Sequence, residues 1–263
     1  MTGHPATTDR PVVVTGASSG IGEAAALQFG ALGHPVVLGA RRLDRCEETA
    51  ARIRAGGGTA HAIRLDLADA VSVAAFVADA EAAMGTVEIL VSGAGDVLPT
   101  PVAHTDPDVF ARQVEINLLG GHRLVSLVAP GMIERRRGDI VFVTSDVVRL
   151  PRPQMSSYVT SKWGLEGMAR AMQMELEGSG VRASIVRPGP TLTGMGADWD
   201  PEVVGDVLKE WKRWGLVRHD GYLTADGVAA AIVTAATVPR GTHLTLIEVE
   251  PEAPVRASDE GST

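Results

Sequence analysis

Short apolar runs alternate with longer amphipathic stretches along almost the whole 263-residue chain, and that alternation limits the fold more than any other feature. The spacing predicts strands near Val12–Thr15, Val36–Leu38, Ala60–Leu65, Val87–Ser92, Asp139–Ser145, Arg182–Val186 and His243–Val249. Helical periodicity follows near Gly20–Leu32, Leu43–Ala55, Val71–Met84, Pro107–Arg136, Ser157–Glu177 and Ala225–Ala236. A strand followed by a helix, repeated, has one economical solution: a parallel sheet with helices on both faces. The expected architecture is therefore α/β, a single doubly wound, Rossmann-like domain over residues 11–250.

Local chemistry marks several boundaries. Asp106-Pro107 and Asp200-Pro201 each place a capping carboxylate before a proline at the first helical position. Arg135, Arg136 and Arg137 sit where cations complement a helix C-terminus, with Gly138 as the expected stop. Residues 1–10 and 251–263 read as flexible tails. One irregular insert, 190–224, carries a short helical pattern from Pro201 to about Trp214.

Composition excludes some functions. The apolar fraction of 45% suits a packed core, and a formal charge of −8 repels nucleic acid and anionic lipid. A lone cysteine, Cys46, cannot form an intramolecular disulfide, which fits a reducing cytoplasm. No apolar run approaches the roughly 20 residues of a spanning helix, and no secretory pattern opens the chain. No metal site, nucleic-acid partner or membrane partner is expected.

Two places carry chemistry. The first is Thr15-Gly16-Ala17-Ser18-Ser19-Gly20-Ile21-Gly22, a glycine-rich turn between the first strand and the first helix. Glycine there permits positive φ and close approach of backbone to a pyrophosphate, beside unpaired N–H groups of a helix start. The second strand then ends in Arg41-Arg42, where sites selecting NAD usually place an acidic residue. Two readings stand: the arginines bind a 2′-phosphate and select NADP(H), or they simply open a surface helix. Bidentate phosphate recognition by arginine favours the first. Asp66, with Leu67 beside it at the end of the third strand, either accepts a hydrogen bond from an adenine amine or caps the next turn.

The second place is Tyr158-Val159-Thr160-Ser161-Lys162, whose spacing puts phenol and ammonium on one helical face. A lysine beside the phenol would lower its pKa from about 10 and suit it to acid–base work. Ser145 is expected at the carboxyl end of the fifth strand, where open α/β sheets bind ligands, and can hold an oxygen as charge develops. Asn117 is a polar amide inside an apolar helix and needs partners, such as a water relaying protons to Lys162.

Taken together, TGASSGIG, Arg41-Arg42, Asn117, Ser145 and YVTSK resemble the short-chain dehydrogenase/reductase family from about residue 11 to residue 249. The resemblance implies a seven-stranded sheet in the order 3-2-1-4-5-6-7 and hydride exchange between NADP(H) and a carbonyl or alcohol. It implies that Ser145 polarises the carbonyl, Tyr158 transfers the proton, Lys162 binds the nicotinamide ribose and Asn117 orders a proton relay. Pro188, Gly189, Thr191 and Thr193 are similar to the family's motif after the sixth strand, with Thr193 meeting the carboxamide. Ala94 and Gly95 keep the small profile beside the ribose, but Ser92-Gly93 replace the family's usual two asparagines, which puts a structural inter-strand hydrogen bond in doubt.

The insert 190–224 is expected to cover the site. Met195, Trp199, Trp211 and Trp214 either meet a hydrophobic substrate or pack on the body of the protein. Helices Pro107–Arg136 and Ser157–Glu177 are apolar around much of their circumference, so a homo-oligomer, tetramer or dimer, is expected. A catalytically idle NADP(H)-binding sensor of the same fold is the alternative to an enzyme.

Overall fold

The computed structural model describes residues 9–196 and 199–255. Its first half contains β1 (Val12–Thr15), α1 (Gly20–Ala31), β2 (Val36–Ala40), α2 (Leu43–Ala55), β3 (Ala60–Arg64), α3 (Ala70–Met84) and β4 (Ile89–Ser92). The second half contains α4 (Pro107–Val114), α5 (Gly120–Glu134), β5 (Gly138–Val143), α6 (Ser156–Glu175) and β6 (Val181–Pro188). After these come β7 (Thr191–Leu192), α7 (Pro201–Arg213), β8 (Leu223–Thr224), α8 (Ala225–Thr237) and β9 (Leu246–Val249).

Seven strands form one parallel sheet in the order β3-β2-β1-β4-β5-β6-β9, and β7 with β8 forms a separate two-stranded parallel pair. The central strands are covered on both faces, which is why they read as unbroken valine and isoleucine runs. Alternation along β1 sends Val12 and Val14 into a core shared with α1, α2 and α8. Val13 faces the opposite core, with α3, α5 and α6. The carboxyl ends of β1, β4, β5 and β6 therefore converge on one edge of the sheet.

Both proline-preceded caps form: Asp106 accepts from the Asp108 N–H at 2.7 Å and Asp200 from the Glu202 N–H at 2.8 Å. Several boundaries differ from the sequence reading. The single helix expected over Pro107–Arg136 is interrupted by a π-helical turn, Glu115–Leu119, in which Asn117 turns inward. Gly138 is the first residue of β5, not a helix stop; a Cβ there would lie 2.5 Å from the Met132 sulfur. The turn before it is made by Arg136 itself, at φ 51°.

The tails also need correction. Residues 1–8 and 256–263 lie outside the described residues, but Arg10 is buried, ion-paired to Glu88 and Asp139, and donates to the Ala236 carbonyl at 3.0 Å. Pro251 is buried too. Residues 10 and 251 thus belong to the folded domain. Among the described residues no helix is long and apolar enough to cross a membrane.

Candidate active site

A cleft of about 1040 Å³ opens along the carboxyl edge of the sheet, and most of the residues singled out in the sequence line it. At one end lies the turn between β1 and α1. Gly16 and Gly20 adopt φ of +73° and +58°, the left-handed region that glycine enters at no steric cost. A Cβ on Gly22 would stand 2.4 Å from the Gly16 carbonyl oxygen, so this turn closes only without one. The side chain at the N-cap of α1, Ser19, makes no bond to the first turn, leaving those N–H groups without a side-chain cap.

Ser19 is used elsewhere. The Arg42 guanidinium leans back from the start of α2 and donates to Ser18 Oγ at 3.1 Å and Ser19 Oγ at 2.8 Å. Arg42 precedes the surface helix α2, and its guanidinium also faces the cleft. Arg41 is exposed on the same wall. Asp66 lines the cleft with Leu67 while one carboxylate oxygen accepts from the Ala68 N–H at 3.1 Å, so the turn-capping use is realised. A guanidinium, two hydroxyls and an uncapped helix start, along a wall of glycines, fit the phosphates of a dinucleotide.

Thr15 is placed beneath the cleft, not in its wall. Fully buried, it donates to the Val91 carbonyl at 3.2 Å and accepts from the N–H groups of Gly93 at 3.1 Å and Ala94 at 3.3 Å. It ties β1 to the segment after β4, where Ser92-Gly93 stand in place of two asparagines. Ala94 and Gly95 line the cleft as expected.

At the other end Ser145 follows β5, while Tyr158 and Lys162 rise from the first turns of α6, all three buried. The Ser145 hydroxyl donates to Asp146 Oδ1 at 3.2 Å and lies within hydrogen-bond reach of Tyr158. Burial pushes the Tyr158 phenol up to about 12, against the pull of the Ser145 hydrogen bond; the Asp146 charge adds to the rise and the Arg152 charge opposes it. Desolvation of the anion dominates the shift, and the depression expected from the lysine is not seen. Lys162 is itself brought down to about 8 by burial; its Nζ lies 5.7 Å from the Tyr158 ring centre and donates to the Val143 carbonyl at 2.9 Å.

Asn117 reaches this end from the π-helical turn. Its amide donates to the Asp96 carbonyl at 2.8 Å and to Ser161 Oγ at 2.9 Å, and its oxygen accepts from the Asp96 N–H at 2.6 Å. The side chain braces the segment after β4 against α6. Pro188, Gly189, Thr191 and Thr193 line the cleft, with Thr193 against Gly20.

Sequence reasoning missed two buried charge clusters. Asp146 and Arg152 form a two-pronged ion pair beside Ser145. Glu166, one turn beyond Lys162, is held by Arg187 and Arg170. Charges within apolar stretches were the available signal, yet spacing alone does not say which will meet. Two indoles of the insert pack on the body: Trp199 Nε1 donates to the Val97 carbonyl at 3.3 Å and Trp211 Nε1 to the Pro153 carbonyl at 3.4 Å. Trp199 and Met195 line the cleft; Trp211 does not, and Trp214 is exposed. The packing reading therefore holds for Trp211, while Trp199 both packs on the body and lines the cleft.

The model of the family described as short chain dehydrogenase matches residues 10–203. The chain belongs to that family. The short chain dehydrogenase fold recurs in an alcohol dehydrogenase of the archaeon Thermococcus sibiricus complexed with 5-hydroxy-NADP, with a TM-score of 0.79 and 27% identity, covering 91% of this chain and 95% of that one. It recurs in a metagenomic short-chain oxidoreductase in complex with NADP, with a TM-score of 0.77 and 29% identity, covering 92% and 97%. Glycine betaine reductase ATRR of Emericella nidulans is 34% identical over 240 residues, which is 91% of this chain. The chain spans only 18% of that protein's length. Membership agrees with the Rossmann-like parallel sheet described above.

Proposed function

We propose that the chain interconverts a ketone or aldehyde with an alcohol, using NADP(H) as the hydride carrier and Tyr158 as the general acid–base. One observation carries the reading: Ser145, Tyr158 and Lys162 share a cleft whose far end presents Arg42 across Ser18 and Ser19. The two solved relatives complexed with NADP or 5-hydroxy-NADP support the choice of cofactor.

The glycine turn, Arg41, Arg42, Asp66 and Leu67 would hold the adenosine and phosphate portion. Ala94, Gly95, Lys162, Pro188, Gly189, Thr191 and Thr193 would hold the nicotinamide riboside. When bound, that group supplies or accepts the hydride. The substrate oxygen sits between the hydroxyls of Ser145 and Tyr158. A phenol raised to about 12 is protonated at neutral pH, so Tyr158 is ready to donate its proton to the developing alkoxide in reduction. Ser145 stabilises the same oxygen by hydrogen bonding. Val97, Leu98, Met195 and Trp199 make the remaining wall apolar, which suits a hydrophobic substituent. Residues 190–224 act as the cover.

Turnover of a ketone and aldehyde panel with NADPH tests the proposal. Tyr158→Phe should lower kcat by about 10²- to 10⁴-fold while NADPH still binds. Unchanged turnover in that variant removes Tyr158 from the mechanism; NADPH binding without turnover in the native chain favours the sensor alternative. A small soluble carbonyl compound is the expected partner, in the cytoplasm. The groove between α5 and α6, lined by His122, Ile133 and Met172 among others, is the proposed homo-oligomer contact, to be checked by sedimentation.

A further inference from the structure

We propose that Asp146 and Arg152 are a matched pair of positioning residues for Ser145 and Tyr158, clamped from outside by Trp211 of the cover helix α7. The inference rests on the carbonyl-reductase reading and adds to it how the proton-donating hydroxyls are held.

The contacts run in an unbroken line. Trp211 lies face-on to Arg152, with the guanidinium carbon 5.0 Å from the ring centre, and its indole N–H donates to the Pro153 carbonyl. Arg152 donates through Nη1 to Asp146 Oδ1 at 2.8 Å and through Nη2 to Asp146 Oδ2. Its buried Nε has no hydrogen-bond partner, so the carboxylate and the indole face together set its place. Asp146 Oδ1 then accepts from the Ser145 hydroxyl at 3.2 Å. Because Oδ1 is shared between Arg152 and Ser145, its hold on the serine proton is weakened. The hydroxyl can then turn from Asp146 to a substrate oxygen.

The pair also acts through charge. The charged groups facing the Tyr158 phenol are Asp146 and Arg152 from the loop after β5 and Lys162 from its own helix; Trp211 of α7 and Trp199 before it contribute neutral indoles. Asp146 raises the phenol and Arg152 lowers it, so the two charges of the pair oppose one another. Loss of either charge from this buried pair, next in sequence to Ser145, would shift the phenol in the direction set by the charge that remains.

The chain has two tyrosines, so a Tyr222→Phe background leaves Tyr158 as the only tyrosinate signal. In that background Asp146→Asn should move the Tyr158 titration, and the pH profile of kcat, to lower pH by about one unit. Arg152→Gln should move both to higher pH by a similar amount. Shifts of the same sign, or none in folded protein, overturn the proposal. Either single variant strands a buried charge and can fail to fold, so Asp146→Asn with Arg152→Gln carries the test as well. That neutral pair should keep the native pH profile and the NADPH KM while kcat falls by about tenfold or more, since misplaced groups cost up to about a hundredfold. Native kcat in the folded double variant overturns the proposal. A native chain that reduces no carbonyl overturns the function itself; an active chain with unmoved titrations overturns only the pair's role.

Discussion

At the glycine-turn end of the cleft the walls are largely backbone: Gly16, Gly20 and Gly22 bend β1 into α1 with no room for a Cβ at Gly22. At the opposite end the walls are side chains, with Ser145 from the loop after β5, Tyr158 and Lys162 from α6 and Trp199 from the stretch before α7, while Asp146, Arg152 and Trp211 pack behind them. Backbone shape is encoded by a few neighbouring residues and tolerates little change. Side-chain geometry depends on contacts between remote parts and can be retuned. The first end should therefore fail by losing fold or cofactor, and the second by losing rate or selectivity while the fold persists.

Gly22→Val offers the hardest test of that contrast. Its Cβ meets backbone atoms that cannot swing aside, so stability should fall by about 3 kcal/mol or more, read by urea unfolding. A native-like midpoint would show that the turn has slack. At the opposite end Lys162→Met should remove most turnover yet leave the chain folded, with a distinctive pH signature. Lys162 is lowered to about 8, below the free-lysine value near 10.4, so the unfolded chain binds the proton more tightly between those limits. Native stability should therefore rise with pH from about 8, at up to about 1.4 kcal/mol per unit, and Lys162→Met should lack that rise. Above about pH 9, Cys46, which burial lifts to about 11, pulls the other way in both chains, so the difference between them is the quantity to measure.

Arg42→Ala sits between the extremes, since it changes a side chain at the backbone-built end. NADPH affinity should drop by about ten- to a hundredfold, with NADH affinity little changed, in fluorescence titrations. An equal loss for both would assign Arg42 to holding Ser18 and Ser19 in place. Trp199→Ala should have the smallest effect, about a tenfold change in kcat/KM between bulky and small ketones with NADPH binding preserved. Uniform loss across all ketones would mean that the indole braces Val97 more than it meets substrate.

The same contrast governs what could be read before any coordinates. The glycine turn, the Asp106 and Asp200 caps and the central strands were legible because each depends on residues adjacent in the chain. The π-turn at Asn117 was not, since the apolar pattern continues across it and only bonds to Asp96 and Ser161, 21 and 44 residues away, pull the amide inward. Thr15 was assigned to the cofactor because it opens the motif. Its place beneath the cleft follows from the Val91 carbonyl and the N–H groups of Gly93 and Ala94 lying within reach of one hydroxyl.

Sequence alone determined the parallel sheet, its two-sided burial, the glycine corner and the tyrosine–lysine face, because periodicity and short-range sterics act over a few residues. Tertiary structure decided which charges meet in the interior and what the serine and tyrosine hydroxyls touch. Asp146 with Arg152, Glu166 with Arg187, and Arg152 under Trp211 are pairings across space. In a desolvated interior each charge must find a partner, and packing alone determines which partner is near.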